Sequence, residues 1–275
     1  MRGQDDGVVL VNVLVVLALS SAVLLAMIRV SDIGITRSQT FADAAQGRAL
    51  IAGGEASAVT ALRRDMVDAP QTDHDGEAWA TANQAETRID AGTFALAITD
   101  AQARFNLNAL PKSGEVGPQI LTRIVEGLDL PDAVVPRILA RMTLPNLLKR
   151  LDDLVVEAGL SPVEVDALRP LIIALPQRTD ININTAPDGV VLALTANPVQ
   201  AAGLLALRKR RGYLTPADLT AAEVVLLPGV GFTSQYFEVV VRVTVGTVTQ
   251  IQRSLLHRRQ GAGGKPEVAV VARMP

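Results

Sequence analysis

The sequence predicts an α+β protein in which a long N-terminal helix packs on a small antiparallel sheet, with a large, mostly helical insertion. Three observations support this fold class: an uncharged apolar run at residues 8–28, alternating patterns at residues 93–99 and 237–255, and capped amphipathic segments between them. Apolar residues at three- and four-residue intervals are typical of helices, whereas strict alternation is typical of strands. The 275 residues suffice for one large domain or two small ones.

The apolar run at residues 8–28 contains no charged side chain and only three polar ones, Asn12, Ser20 and Ser21. As an α-helix it would be about 31 Å long, close to the thickness of the hydrocarbon core of a bilayer. The run is longer than the apolar region of a secretory signal, and no small-residue cleavage site follows it before Arg29. The sequence therefore predicts a retained membrane anchor.

The helical pattern continues after this run but becomes one-sided, with apolar residues recurring at helical spacing from Phe41 to Met66. Pro70 is expected to end the helix. In the following loop, Asp73 and Asp75 are spaced as in part of a calcium loop, but a complete loop needs a further acidic ligand and a closing Glu. We favour a solvated surface turn for this segment, and we expect the single Trp of the chain, Trp79, to pack.

Two short segments, residues 105–108 and 181–184, alternate apolar residues with asparagine. In an extended backbone, the two Asn side chains of each segment share a face and the apolar pair faces the core. Asn amides can satisfy the backbone groups of loops and turns. We therefore interpret these residues as polar connections beside one core rather than as catalytic groups; they are Phe105, Asn106, Asn108, Asn182 and Asn184.

Residues 112–178 are predicted to be helical, with helices at residues 119–128, 133–142, 147–159 and 162–174. Ser161, Pro162 and Glu164 match an N-cap, a first-turn proline and the third residue of a capping box. Further helices are expected up to residue 209. Strands at residues 237–245 and 247–255 are predicted to form a hairpin around Gly246, followed by a flexible basic link at residues 257–264 and a short edge strand at residues 268–272.

The composition and motifs do not favour an enzyme. The net charge of −2 gives no general attraction to nucleic acid, and the absence of cysteine excludes disulfides and thiolate metal sites. His74 and His257 are isolated, and the sequence lacks the motifs of zinc proteases, serine hydrolases, P-loop proteins and dinucleotide-binding proteins. We interpret Asp152, Asp153 and Glu157 as a solvated helix face, and we expect no metal.

An alternative is a membrane-anchored DNA-binding protein, because residues 182–186, 206–214 and 227–231 resemble tandem helix-hairpin-helix modules. In such modules glycine-rich hairpin amides hold a phosphate at a helix N-terminus, and the four basic residues at 208–211 would add positive charge. Against this alternative, the first hairpin at residues 195–198 lacks glycine. The turn at residues 229–231 is followed by a β pattern.

The chain resembles, along most of its length, the K-type minor pseudopilins of the type II secretion system. The short segment ending in Gly7 is similar to a prepilin leader, and residues 100–108 and 179–187 resemble the two most recognisable internal segments of the family. The resemblance implies a pilin-like fold with a SAM-like or helix-hairpin-helix-like insertion. The implied organisation is a leader (1–7), a transmembrane and filament-core helix (8–28), the first part of the pilin-like core (29–111), the insertion (112–178), and a second helical segment with the C-terminal hairpin (179–275).

The same resemblance implies how the protein is processed and what it does. An inner-membrane prepilin peptidase would cleave after Gly7 and methylate Val8, which places Asn12 at the fifth mature position, where most pseudopilins carry Glu and K-type subunits do not. The protein would be a non-enzymatic, single-pass inner-membrane subunit with its body in the periplasm, at the tip of a short pseudopilus. Its partners would be the I- and J-type minor pseudopilins, the major pseudopilin and the inner-membrane platform.

One departure from the family concerns calcium. K-type subunits usually carry an acidic stretch, with Gly and Tyr, that binds calcium in the insertion. Here residues 142–146 pass directly into residues 147–154, and that stretch is missing from the sequence. We therefore expect no bound cofactor, although calcium occurs in the family.

Overall fold

The computed structural model describes residues 5–195, 197–224 and 228–274, with side chains from residue 10 onward. The helices are α1 (Asp5–Asp68), α2 (Ala78–Thr81), α3 (Val116–Gly127), α4 (Val134–Met142), α5 (Asp153–Glu157), α6 (Pro162–Leu168), α7 (Asp188–Leu194), α8 (Pro198–Arg211) and α9 (Pro216–Ala221). The strands are β1 (Gln84–Ile89), β2 (Gly92–Asp100), β3 (Phe105–Asn106), β4 (Ile172–Ile173), β5 (Ile181–Asn182), β6 (Val230–Gly231), β7 (Tyr236–Val245), β8 (Val248–Gln260) and β9 (Pro266–Met274). Short 3₁₀ helices cover Ala101–Ala103, Leu107–Lys112 and Ala262–Gly264.

The main sheet has five strands in the order β1-β2-β7-β8-β9, and every neighbouring pair is antiparallel. Strands β2 and β7 are distant in sequence yet pair along the full length of β2. Between β7 and β8 the chain turns at Gly246, whose φ of 54° favours glycine. The α+β class, the long helix and the predicted hairpin are confirmed.

Helix α1 has two halves with different surroundings. Residues 10–42 are exposed on every side, and an 18-residue window there has a mean hydropathy of 2.6. By length and composition this part of the helix can cross a membrane. The second half packs on β7, β8 and β9, where Ala58 and Leu62 are fully buried beside Trp79 and Phe237. The prediction that Trp79 packs is therefore confirmed.

Gly54 allows α1 to lie close to the sheet, because a Cβ atom at this position would be 3.0 Å from both methyl groups of Val241 and 3.1 Å from Phe94. Replacing Gly54 by Leu is expected to lower the free energy of unfolding by about 1–3 kcal/mol, since the larger side chain would separate helix and sheet. The matched control is Gly53→Leu, because nothing lies within 4 Å of a Cβ there. Thermal unfolding of the full chain in detergent micelles, followed by circular dichroism, tests this; equal losses for both variants would contradict it.

The region between β2 and β7 has its own apolar core, which extends from Phe105 to Leu214. Two parallel two-residue pairs, β3 with β4 and β5 with β6, lie at the edge of this region. The predicted helix at residues 147–159 is wrong in its first half, because only α5 is helical. The predicted helix at residues 162–174 ends at Leu168, and β4 follows it. Hydrogen bonds from Asn108 to Leu148 contribute to the first difference, and the pairing of β4 with β3 explains the second.

The C-terminal prediction is also wrong in part. Residues 257–260 are not a flexible link but continue β8, and β9 is longer than the expected edge strand. Arg258 is buried and ion-paired, which holds this end of β8 in the sheet. The chain reverses at Gly263 and Gly264, whose φ values of 70° and 73° are easily adopted by glycine.

Candidate functional site

The first Asn segment holds three chain segments together through side-chain amides. The Asn106 side chain accepts hydrogen bonds from the backbone N–H groups of Asn108 and Leu175 and donates to the carbonyl of Gln177. The Asn108 side chain accepts from the Leu148 N–H and donates to the carbonyls of Leu148 and Leu175. The bonds from Asn108 hold the backbone of Leu148 outside a helix. Residues 172–173 pair with β3 and therefore do not extend α6.

The second Asn segment repeats this geometry. The Asn182 side chain accepts from the Asn184 N–H, and the Asn184 side chain exchanges two hydrogen bonds with the backbone of Leu214, at 2.7 and 3.1 Å. In both segments, residues 105–108 and 181–184, only the first two residues have an extended backbone. The expectation that the two Asn side chains lie on one face and the two apolar side chains on the other is therefore wrong. All four Asn side chains are buried, at 8% exposure or less.

Asp100, at the end of β2, joins the second Asn segment to the sheet. Its carboxylate accepts four hydrogen bonds, from the Gln102 N–H, the Ser234 and Thr185 hydroxyls and the Asn182 amide, at 2.6–2.8 Å. Burial raises the pKa of this carboxyl, and the hydrogen bonds from the two hydroxyls and the amide act in the opposite direction. The four donors therefore compensate for placing a carboxyl group away from water.

Arg258 is connected to Asp100 through Ser234 and joins α1 to the loop after it. The guanidinium of Arg258 donates to Asp65 at 2.7 Å, to Asp73, and to the carbonyl of Ser234 at 2.7 Å. It also lies over the ring of Phe237, 4.7 Å from the centroid. Asp73 is fully buried, so the prediction of a solvated turn is wrong for this residue, although Asp75 and Gly76 are exposed. The reason is the ion pair with Arg258, which is 185 residues away in sequence.

Carboxylate oxygens of Asp65, Asp73 and Glu77 lie within 4.8 Å of one another, and all three residues are buried. A group this close could hold a cation, and here the guanidinium of Arg258 supplies the positive charge between two of them. Glu77 accepts hydrogen bonds from the Trp79 indole, the Thr72 hydroxyl and the His74 N–H. Burial raises the pKa of Glu77 and Asp65, and it raises the pKa of Asp73 to about 7.

We call this assembly the polar junction, formed by the side chains that join the end of α1, the loop after it, the sheet and the helical region: Asp65, Asp73, Asp100, Asn182, Ser234 and Arg258. Of these residues, local sequence patterns indicated a buried role only for Asn182: Asp73 was expected in a solvated turn, Arg258 in a flexible link, and Asp65 was not distinguished. A signal was present, since Asp65 lies three residues after Leu62 on the apolar face of α1. Arg258 lies two residues after the buried Leu256 in β8, and so on the inward face.

Comparison with known proteins gives relatives along nearly the whole chain. Type II secretion system protein K of Pseudomonas aeruginosa is 28% identical over 99% of this chain and 93% of its own length. The protein of the same name from Klebsiella pneumoniae is 28% identical over 94% of each chain. The chain is a relative of type II secretion system protein K. No family model matches the sequence.

The fold gives a consistent result. A chain in the crystal structure of the GspK-GspI-GspJ complex of enterotoxigenic Escherichia coli superimposes with a TM-score of 0.67 and 20% identity. The match covers 86% of this chain and 98% of the other. This structural match supports the α+β fold with a long N-terminal helix and an antiparallel sheet.

The residues that the protein K resemblance assigns to processing and assembly all lie in α1. Gly7 and Val8 are helical, but their side chains are outside the described ones, and residues 1–4 of the leader are outside the described residues. Asn12 is exposed within the apolar half of α1. Cleavage after Gly7 and the role of Asn12 stay predictions.

Two of the four basic residues that suggested DNA binding form pairs within the protein, whereas Lys209 and Arg210 are exposed. Arg208 donates to the carbonyls of Ile183 and Ala186, both at 2.7 Å, and pairs with Asp188. Arg211 pairs with Asp218. The turn at residues 228–231 continues into β6, which pairs with β5 and does not start a helix; residues 196 and 225–227 of the two hairpins lie outside the described residues. These contacts do not favour the helix-hairpin-helix alternative.

The other residues considered for chemistry have structural contacts. His74 stacks on Tyr213 and His257 stacks on Tyr236, each with ring centroids 4.5 Å apart. Asp152 pairs with Arg150 and Arg169. Glu157 pairs with the buried Arg141, so it is not part of a purely solvated face.

Proposed function

We propose that the protein is a non-enzymatic minor pseudopilin at the tip of the type II secretion pseudopilus, where it helps to start assembly and to export folded proteins across the outer membrane. One observation carries this proposal: the apolar half of α1 projects from the body, with residues 10–42 exposed on every side. An apolar helix of this length needs lipid or other apolar helices around it. The similarity to protein K over 99% of the chain supports the assignment to this secretion system.

The two environments of α1 correspond to two stages of the proposed function. Before assembly, the apolar half would anchor the chain in the bacterial inner membrane, with the body in the periplasm. After assembly, the same half would pack among the helices of the I-type, J-type and major pseudopilins, above the inner-membrane platform. The helical region enlarges the body beyond the sheet, and we propose that this bulk blocks the addition of a further subunit above it.

Processing by prepilin peptidase tests this proposal. The wild-type chain, expressed with the peptidase, is expected to give a mature protein that starts at a methylated Val8. Gly7→Asp is expected to abolish this product and leave only the precursor, because the new carboxylate lies at the cleaved bond. Intact-protein mass spectrometry distinguishes the two products.

The matched control is Gly3→Asp, which places the same charge in the same leader but away from the proposed junction. This variant is expected to be processed as the wild type is. A mature protein of normal mass from Gly7→Asp, or a wild-type N-terminus other than Val8, would count against the pseudopilin assignment.

A further inference from the structure

Asp65 and Asp73 are two buried carboxyl groups that share one guanidinium, from Arg258. With Glu77 they place three carboxyl groups within 4.8 Å of one another. Oδ1 of Asp73 is buried and has no hydrogen-bond partner among the described residues. An unpartnered buried carboxylate oxygen is costly, whereas a protonated carboxyl can donate to its neighbour. A proton bound between Asp65 and Asp73 would therefore lower the cost of burying these two carboxyl groups.

We propose that Asp65, Asp73 and Arg258 form a proton-dependent latch, closed while the two carboxyl groups share one proton, that holds residues 69–77 against the sheet and the helical region. Asp73 is the centre of this latch because it is bonded on three sides. Its N–H donates to the Phe232 carbonyl at 2.7 Å, and its own carbonyl accepts from the Asn182 amide at 2.9 Å. Its carboxylate accepts from the Ser234 N–H at 2.5 Å.

Titratable groups face Asp73 from every element packed against it: Asp65 of α1, His74 and Glu77 of the loop, Asp100 of β2 and Arg258 of β8. Burial raises the pKa of Asp73 to about 7, Asp100 acts in the same direction, and Arg258 opposes it. Burial also raises the pKa of Asp65. Two carboxyl groups at one buried site characteristically retain a proton above the usual range of Asp.

The direction of the pH dependence follows from these raised pKa values. The closed latch binds the proton more tightly than an open, hydrated segment in which Asp73 titrates near its ordinary value of 3.8. The latch is therefore fully stable below the ordinary value and loses stability as the pH rises towards about 7. The opening equilibrium is expected to rise about tenfold per pH unit in that window, since one proton is released.

Hydrogen exchange of the full chain in detergent micelles tests the latch. The amides of Asp73 and Ser234 are the reporters, and their exchange rates are divided by the intrinsic rates so that base catalysis cancels. Their protection is expected to fall about tenfold per pH unit up to about pH 7. Amides in the middle of β7 are expected to keep their protection over the same range.

Asp73→Asn is the informative variant, because an amide imitates the protonated carboxyl and cannot ionise. It is expected to remove the part of the pH-dependent loss that Asp73 contributes, so that the protection of the Ser234 amide falls much less with pH than in the wild type. Asp65→Asn is expected to shift the pH range in which protection is lost to lower values. With the second carboxyl group removed, Arg258 alone faces Asp73 and favours its ionised form. Asp68→Asn, an exposed carboxylate near the end of the same helix, is the control and should behave as the wild type.

The proposal fails if wild-type protection does not depend on pH, or if Asp73→Asn shows the same fall as the wild type. It also fails if added Ca²⁺ or Mg²⁺ restores full protection at a pH above about 7, because the carboxyl cluster would then hold a cation rather than a proton.

Discussion

Replacing Arg258 by Gln is expected to lower the free energy of unfolding by about 3–5 kcal/mol, because it leaves two buried carboxyl groups without their cation. The guanidinium of Arg258 is only 7% exposed and bonds Asp65, Asp73 and the Ser234 carbonyl. An amide can replace at most part of these bonds. Arg258→Lys should lower the free energy of unfolding by less, because lysine keeps the positive charge. Some loss remains, because lysine lacks the forked guanidinium that reaches both carboxyl groups.

The neighbouring Arg259 offers a matched control. Its side chain is 65% exposed and pairs with Glu267 at 3.1 Å. Exposed pairs of this kind contribute up to about 1 kcal/mol, so Arg259→Gln should change stability little. Urea unfolding of the full chain in micelles compares the two variants. A loss from Arg258→Gln no larger than that from Arg259→Gln would contradict the role that we assign to the polar junction.

Asp100→Ala is the second substitution with a large expected effect: it should lower the free energy of unfolding by on the order of 3–5 kcal/mol. Three buried donors and the half-buried Thr185 hydroxyl lose their acceptor at once, and each unsatisfied buried donor costs about 1 kcal/mol or more. Asp100→Asn should cost about 1–2 kcal/mol, because its amide oxygen can still accept from Ser234, Thr185 and Asn182. Its NH₂ group would then face the Gln102 N–H, which now bonds the other carboxylate oxygen.

Asp90→Ala is the control for Asp100→Ala, because Asp90 is exposed at the turn that leads into the same strand. Asp90→Ala is expected to change the free energy of unfolding by no more than about 0.5 kcal/mol. Hydrogen exchange adds a local readout, since the Asp100 variants should lose protection first at residues 182–185 and 234. If Asp100→Ala and Asp100→Asn were equally harmless, the four hydrogen bonds would not be what joins the helical region to the sheet.

Local patterns were sufficient for most of the fold. The apolar run and the one-sided pattern after it correctly predicted α1, and the alternating residues predicted β2 and the β7–β8 hairpin. Ser161 and Glu164 predicted a capping box that is present in α6. In each case the pattern that identifies the element lies within a few residues, so sequence spacing alone carries the information, even though β2 and α1 pack against elements distant in sequence.

The candidate site was only partly predictable. Asn106, Asn108, Asn182 and Asn184 were correctly singled out as polar connections to the backbone, since two Asn residues at this spacing are unusual inside an apolar segment. Their partners could not be named. Asn108, for example, bonds Leu148 and Leu175, which are 40 and 67 residues away in sequence. The bonds to Leu148, and the pairing of β4 with β3, occupy segments that local periodicity alone had favoured as helix.

The sequence by itself determined an apolar anchor helix, an antiparallel sheet and a helical region, because periodicity and capping act over a few residues. Only the tertiary structure decided that Asp73 is buried, that Arg258 belongs to the sheet rather than to a flexible link, and that Arg208 is used internally. The physical reason is that a charged side chain is exposed by default. It becomes buried only where a segment distant in sequence supplies an oppositely charged or hydrogen-bonding partner, and residue spacing does not reveal which segments meet in the fold.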